Sequence, residues 1–187
     1  LNLELPRAEP STMRAPHALI VLFACLTLTG PAVADTAGTV TYELDWTPAE
    51  RIVIEKARRK LTLIRVDSVV REFDISLGGN PVGPKQRSGD SRTPEGNYVI
   101  DAKNLGNYYY LAVHLAYPNS QDVERARRLG LDPGGAIMIH GMPNGTPWPY
   151  GGYVGRDWTD GCIAVSNAAM QEIWLATREN TPVEILP

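Results

Sequence analysis

The chain has 187 residues, with 18 Lys+Arg against 21 Asp+Glu and a formal charge of −3. That length suits one domain with or without an exported leader, and 43% hydrophobic with 21% charged residues excludes a disordered chain. The slight negative charge argues against nucleic acid as the main partner, because phosphate binding needs a basic face.

The first elements in chain order form a targeting segment. Met13-Arg14-Ala15-Pro16-His17 is a short basic stretch, Ala18 to Leu26 is apolar without interruption, and Ala32-Val33-Ala34 precedes Asp35. Basic, apolar and A-x-A segments in this order read as a signal peptide cleaved after Ala34, with Met13 as the true start and residues 1–12 as an upstream extension. The apolar run falls short of the ~20 residues a membrane-spanning helix needs, so no stable membrane span is expected. Leu22-Phe23-Ala24-Cys25 loosely matches a lipobox, but bulky Phe23 and the apolar run continuing past Cys25 argue against lipidation. Cleavage removes Arg7 and Arg14 with Glu4 and Glu9, which leaves the charge at −3, and it removes Cys25. Cys162 is then a lone thiol in an oxidising compartment. It has no partner for an internal disulfide, so it is either reactive or buried and inert.

Residues 35–50 read as a polar lead-in and 51–187 as the folded domain. Ile52-Val53-Ile54 and Leu61 to Ile64 are short branched strands joined by the basic turn Lys56 to Lys60. From Val69 to Leu77 the alternation of Val69, Phe73, Ile75 and Leu77 against Glu72, Asp74 and Ser76 predicts a half-buried strand, with Arg71 near its edge. Gly78 to Gly96 is loop and turn, rich in Gly and Pro. Strands are expected at Tyr98–Ile100 and Tyr108–Leu115. Asn119 to Gly130 reads as a helix, capped by Asn119 or Ser120 and stopped by Gly130. A strand at Ala136–Ile139 ends at His140-Gly141. A long aromatic loop over 141–161 leads to a strand at Ile163–Val165. A helix from Asn167 presents Met170, Ile173, Trp174 and Thr177 on one face, and Val183–Leu186 is a last strand. Strands with two inserted helices favour a mainly β sandwich over a βαβ fold.

The chemistry concentrates in Ile137-Met138-Ile139-His140-Gly141 and in Trp158-Thr159-Asp160-Gly161-Cys162-Ile163-Ala164-Val165. A thiol becomes a strong nucleophile as thiolate, and an imidazole within hydrogen-bond reach can take its proton. Both residues sit where predicted strands meet one loop. Gly161 gives the backbone room to approach a substrate carbonyl, and the amides of Gly161 and Cys162 are candidate oxyanion donors. Against this stand two bland readings: Cys162 as a small buried hydrophobe and His140 as a polar strand end. His114, on a strand face with Tyr108, Tyr110 and Ala112, reads as a packed histidine. A zinc site of Cys162, His114 and His140 lacks paired ligand spacing, so no metal is expected. The 141–161 aromatics read as a lid or as simple packing. Lys85, Arg87 and Arg92 read as solvated loop cations, with acidic substrate groups as their alternative partners.

From about Arg51 to Pro187 the sequence resembles the L,D-transpeptidase catalytic domain, the YkuD type of bacterial cell-wall enzymes. The resemblance rests on the Gly89-Asp90-x-x-Thr93-Pro94-x-Gly96 turn, the His140-Gly141 pair and the Thr159-x-Gly161-Cys162-Ile163 segment, in that order. It implies a β-sandwich of two mixed sheets with two short helices. It makes Cys162 the nucleophile, His140 the proton donor and acceptor, and the Gly141 carbonyl the group that orients His140. Thr159, Trp158 and Arg156 become the expected substrate contacts. Where the family often has His and Arg, this chain has Asp160 and Ala164; Arg156 is the candidate substitute for the missing arginine. The Asp-Gly-Cys-Ile-Ala variant is similar to a branch that includes wall hydrolases and amidases.

The implied activity is exported cysteine acyl transfer on peptidoglycan stem peptides in the periplasm, through a thioester on Cys162 and without metal or organic cofactor. Hydrolysis by the same machinery is the alternative, and lipoprotein attached to the wall is a further partner. A non-catalytic wall-binding module is the contrasting reading from another class.

Overall fold

The computed structural model describes residues 48–105, 108–147, 152–153 and 155–187. The signal-peptide and start-site expectations, and Trp148 and Tyr150 of the aromatic loop, lie outside the described residues.

The fold is mainly β. Among the described residues, eight strands and two helices run in the order β1 (Arg51–Glu55), β2 (Lys60–Arg65), β3 (Ser68–Asp74), β4 (Gly96–Leu105), β5 (Leu111–Leu115), α1 (Ser120–Leu129), β6 (Met138–His140), β7 (Ile163–Ala164), α2 (Asn167–Ala176) and β8 (Pro182–Leu186). The strands hydrogen-bond in one mixed series, β3-β2-β1-β8-β4-β5-β6-β7. The expected two sheets are two halves of this series, joined by the long strand β4. Its first residues pair with β8 and its later residues with β5, and the register shifts between Ile100 and Ala102. The series also curls back on itself: Ser76, just past β3, exchanges both backbone hydrogen bonds with Ala164 of β7 at 2.8 Å. The last element, β8, lies inside the series, parallel to β1 and antiparallel to β4.

One core cluster serves both halves. Ile52, Ile54, Leu61, Leu63, Ile100, Leu115, Ile139, Ile163, Val183 and Ile185 point inward from the strands, and α2 covers them with Met170 and Ile173. Ala49, one residue after Pro48, also packs there, and its amide donates to the Ala176 carbonyl at 2.7 Å.

The strand β3 departs from the expected half-buried pattern. It ends at Asp74, Val69 is 67% exposed, Phe73 is partly buried against the core, and Ile75 and Leu77 beyond its end lie within the core. As the outermost strand it has one neighbour, and a register slip at Leu63/Ile64 takes its apolar residues out of phase with the core. The long β4 was also cut short by the sequence pattern, because Asp101, Lys103 and Asn104 interrupt the alternation.

The helix α1 follows its sequence signals closely. The Asn119 side chain accepts from the amides of Gln121 and Asp122, Asp122 accepts from the Asn119 amide, and Gly130 closes the end in the left-handed region. In α2 the cap is Ser166, whose hydroxyl accepts from Ala169, and Asn167 is free for another role.

Candidate active site

The strands β6 and β7 lie parallel, with Ile139 opposite Ile163 and His140 opposite Ala164. Side chains alternate across a strand, so the two isoleucines face the core and His140 faces the other side. Cys162 stands two residues before Ala164 and shares that face. Strand pairing thus brings the predicted nucleophile and base to one surface. On its other flank His140 faces Ala112 of β5. An imidazole between two alanines has open space above it, and two aromatic rings fill that space. Tyr109 stacks on the imidazole with centroids 3.6 Å apart, and Trp158 meets it edge-on at 5.7 Å. His140 is fully buried beneath them.

The Nδ1 atom of His140 lies 2.7 Å from the Gly141 carbonyl oxygen. A carbonyl only accepts, so Nδ1 carries the proton and Nε2 is the bare, basic nitrogen. Nε2 is buried and has no hydrogen-bond partner among the described residues. Burial disfavours the charged ring and pulls its pKa down to about 4, against the smaller opposing pull of the Gly141 bond. The imidazole is therefore neutral near pH 7.

Cys162 is partly buried, and its thiol approaches the Ala136 carbonyl at 3.5 Å. Burial pushes its pKa up, with Asp160 adding to the rise, while a Met138 backbone contact and Lys85 pull it down. Thiol and imidazole are thus both uncharged at rest, rather than a preformed ion pair.

The nucleophile segment is held by its own side chains. The Thr159 hydroxyl donates to the Cys162 carbonyl at 2.7 Å and accepts from the Gly161 amide at 3.1 Å. Thr159, expected as a substrate contact, is buried within the loop, and the Gly161 amide, expected as an oxyanion donor, is hydrogen-bonded to it. The backbone also requires Gly161: its φ is +130°, and a Cβ there would meet the Arg92 carbonyl oxygen at 2.6 Å. Gly78 is equally confined, since a Cβ there would collide with the Ser91 carbonyl.

The motif turn at Gly89–Gly96 is therefore a clamp on the nucleophile segment, and buried lysines hold it. Lys56 donates to the carbonyls of Gly83 (2.7 Å) and Thr93 (3.0 Å) and to the Glu95 carboxylate (2.8 Å). Lys85, read from sequence as a solvated cation, is only 3% exposed and pairs with Asp90 at 2.9 Å. Asp90 also accepts from the amides of Gln86, Arg87 and Arg92. Burial alone would raise its pKa; these amides and Lys85 instead hold it down at about 2. The periodicity of a loop carries no burial signal, so neither lysine was recognisable as an interior residue.

Beside the site lies a cavity of about 830 Å³. Its lining includes Met142, Ala164, Val165, Ser76, Tyr153 and Arg156, neighbours of Cys162 and His140 rather than those residues themselves. Arg156 is exposed, and among the described residues no carboxylate pairs with it. Arg59, on the same lining, is neutralised by Asp157 at 2.7 Å, and Asp157 also accepts from the Leu77 amide. Trp158 has a buried indole nitrogen with no partner among the described residues. Asn167 accepts from the Met142 amide at 2.8 Å and fixes the chain just after His140-Gly141. His114 is not packed in the core: it is partly exposed, with Nδ1 2.6 Å from Asp101. Among the described residues no His, Cys, Asp and Glu cluster could hold a metal ion, and no helix is long and apolar enough to cross a membrane.

The L,D-transpeptidase catalytic domain (YkuD) family model matches residues 49–185. The chain belongs to that family. YafK of Escherichia coli K12, an L,D-transpeptidase by name, is 33% identical over 105 residues, 54% of this chain and 35% of YafK. The alignment thus spans about a third of that relative's length. The helical cell shape determining protein Pgp2 of Campylobacter jejuni superposes with a TM-score of 0.53 at 26% identity, covering 72% of this chain and 46% of Pgp2. An L,D-transpeptidase from Xylanimonas cellulosilytica matches at TM-score 0.51 and 19% identity over 74% of this chain and 61% of its own, and supports the fold alone.

Proposed function

We propose that this domain is an exported cysteine acyltransferase acting on peptidoglycan stem peptides. The observation that carries the reading is the hydrogen bond from His140 Nδ1 to the Gly141 carbonyl, which leaves a bare Nε2 on the same face as Cys162. Family membership and the likeness to YafK and Pgp2 support the substrate class.

The steps follow from a neutral pair. As Cys162 Sγ turns from the Ala136 carbonyl and attacks the carbonyl carbon of the third stem residue, its proton passes to His140 Nε2. The tetrahedral oxyanion forms beside the Cys162 amide, the candidate donor left once Gly161 is bonded to Thr159. The C–N bond breaks, the departing amine of the terminal D-residue takes the proton from His140, and a thioester remains. An amine of a second stem then attacks the thioester, His140 accepts its proton and returns it to sulfur, and a cross-link is released. With water in place of the amine, the same steps trim the stem or release attached protein. Arg156, on the cavity wall beside Ala164, holds a substrate carboxylate in place of the family's arginine. Trp158 covers the reacting atoms, and the leader delivers the domain to the periplasm.

Digestion of purified muropeptides followed by mass analysis tests this reading. Cross-linked, trimmed or released products are expected with wild type, none with Cys162→Ser, and nearly none with His140→Ala. Full turnover by Cys162→Ser would sink the nucleophile assignment, and inactivity of the folded wild type on every such substrate would favour a wall-binding module.

A further inference from the structure

The β4–β5 pairing slips by one residue where β4 passes from one half of the strand series to the other. Ile100 pairs with Leu115 on the core face and Ala102 with His114 on the opposite face, so Asp101 is the extra residue of a bulge. Strict alternation would send Ala102 back to the core. The bulge instead presents two successive residues, Asp101 and Ala102, on the outer face, and it holds Asp101 Oδ1 2.6 Å from His114 Nδ1. A carboxylate accepts, so Nδ1 donates, and it does so whether or not the other ring nitrogen is protonated. The bond therefore fixes the carboxylate without having to neutralise it. The Asp101 side chain is 42% exposed and that of His114 26%, and among the described residues the second carboxylate oxygen has no hydrogen-bond partner.

That outer face is the one His140 and Cys162 occupy. His114 pairs with Met138 of β6. Ile139 pairs with Ile163 and His140 with Ala164, so Cys162, one residue before Ile163, continues the row of Met138. His114, Met138 and Cys162 thus form one line across three neighbouring strands, with the Asp101 carboxylate at its far end. At ~4.8 Å between strands, the backbones of His114 and Cys162 stand roughly 10 Å apart. Met138, half-buried between them, gives the line an apolar floor. An anion that far from the sulfur is out of reach of an amine attacking the acyl carbon. The residue whose carbonyl Cys162 takes is different, because it is tethered to the sulfur and its side chain has a fixed reach. A stem of about four carbons, as in lysine, laid over Met138 carries its ammonium to the Asp101–His114 end of the line.

We propose that the Asp101–His114 pair is a binding subsite for a substrate ammonium, the one borne on the side chain of the residue whose carbonyl Cys162 attacks. Asp101 accepts from the ammonium with its unoccupied oxygen, His114 holds the carboxylate at its angle, and Met138 carries the methylene stem. Such a subsite selects stems whose third residue is a diamino acid with a free side-chain amine. A stem in which that amine is already acylated loses the charge and with it the charge-assisted bond. The inference rests on the acyl-transfer reading above for which residue is attacked, but its test reads binding, so the two fail separately.

The test is NMR titration of the full chain carrying Cys162→Ser, which stops turnover, with two synthetic tetrapeptide stems. One has lysine as its third residue and the other has Nε-acetyl-lysine. The free-amine peptide should bind about tenfold more tightly. Adding Asp101→Asn, which keeps the shape and an acceptor for Nδ1 but not the charge, should remove the difference. Equal affinities, a preference that survives Asp101→Asn, or no binding of either peptide overturns the proposal. An exposed pair of this kind adds little stability, so the Asp101→Asn protein should fold. If it does not, the His114 ring signals of the Cys162→Ser protein decide: they should move with the free-amine peptide and stay with the acetylated one, and indifference to both overturns the proposal. A tenfold preference in binding without turnover of the free-amine peptide by wild type would count against acyl transfer and leave the subsite standing. Turnover without a preference would do the reverse.

Discussion

The ring of Tyr109 lies nearly flat on the imidazole of His140, with planes 17° apart and centroids separated by 3.6 Å. Two features of the chain make this contact. The bridge between Tyr109 and Pro143 and the bond from the Tyr110 amide to the Met142 carbonyl extend the β5–β6 pairing past its regular end. Ala112 and Ala164, on either side of His140, leave the space the ring occupies. Tyr109 and Trp158 together cover the fully buried imidazole, and burial is what lowers its pKa.

Removing the ring should therefore change a pKa before it changes anything else. In Tyr109→Ala water reaches the imidazole, and the His140 pKa should climb from about 4 toward the usual value near 6.5. Tyr109→Phe keeps the stack and should keep the low value. NMR titration of the imidazole protons in the two variants distinguishes them; equal values in both would show that the ring is not the source of the shift.

The same depression sets the pH profile of turnover. Burial lowers the His140 pKa, so the free base persists as pH falls and is lost only as pH drops through about 4. The acid limb of kcat/KM should lie near pH 4 in wild type, and a limb near 6.5 would contradict the buried, neutral base. At the other end the thiol is raised, so Cys162 should be alkylated slowly at pH 7 while turnover remains high. Fast labelling at pH 7 would mean a preformed thiolate and a different mechanism.

Lys56 makes a prediction about stability alone. It is 2% exposed, and its ammonium satisfies two carbonyls and the Glu95 carboxylate. Lys56→Met keeps the volume but strands those three acceptors, Glu95 with its charge. Breaking one side of a buried pair typically costs ~3–5 kcal/mol, and partial exposure of Glu95 places this case near the lower figure. Urea denaturation should show the loss, and pairing the change with Glu95→Gln should recover part of it.

The sequence showed most clearly what depends on local pattern. Asn119 and Gly130 fixed the ends of α1 because capping uses neighbouring atoms, and Ile52, Ile54, Leu61 and Leu63 revealed core strands by composition. The His140 and Cys162 segments were readable because strand ends next to glycine leave a recognisable local signature. Lys56 and Tyr109 were not, because their contacts join residues about thirty apart in the chain, and Lys85 was not, because nothing in a Gly- and Pro-rich loop marks a lysine as buried. β3 misled for a related reason: Val69, Phe73, Ile75 and Leu77 alternate as a buried face should, but strand order leaves the Val69 end at the rim, and order is not written in alternation.

Asp90 supplies a prediction in acid. Its folded-state pKa of about 2 lies below the ordinary carboxylate value of 3.8, so the protonated form is disfavoured in the folded protein. The stabilisation is fully present above about pH 4 and drains away as pH falls through the folded value. A gap of that size corresponds to about 2 kcal/mol. Asp90→Asn should be less stable than wild type by roughly that amount at pH 7, and the difference should shrink as pH falls toward 2. Denaturant titrations of both proteins at a series of pH values measure it. A difference that stays constant down to pH 2 would assign the role of Asp90 to the shape of the side chain, and the charge that holds Lys85 and the three amides would have to come from elsewhere.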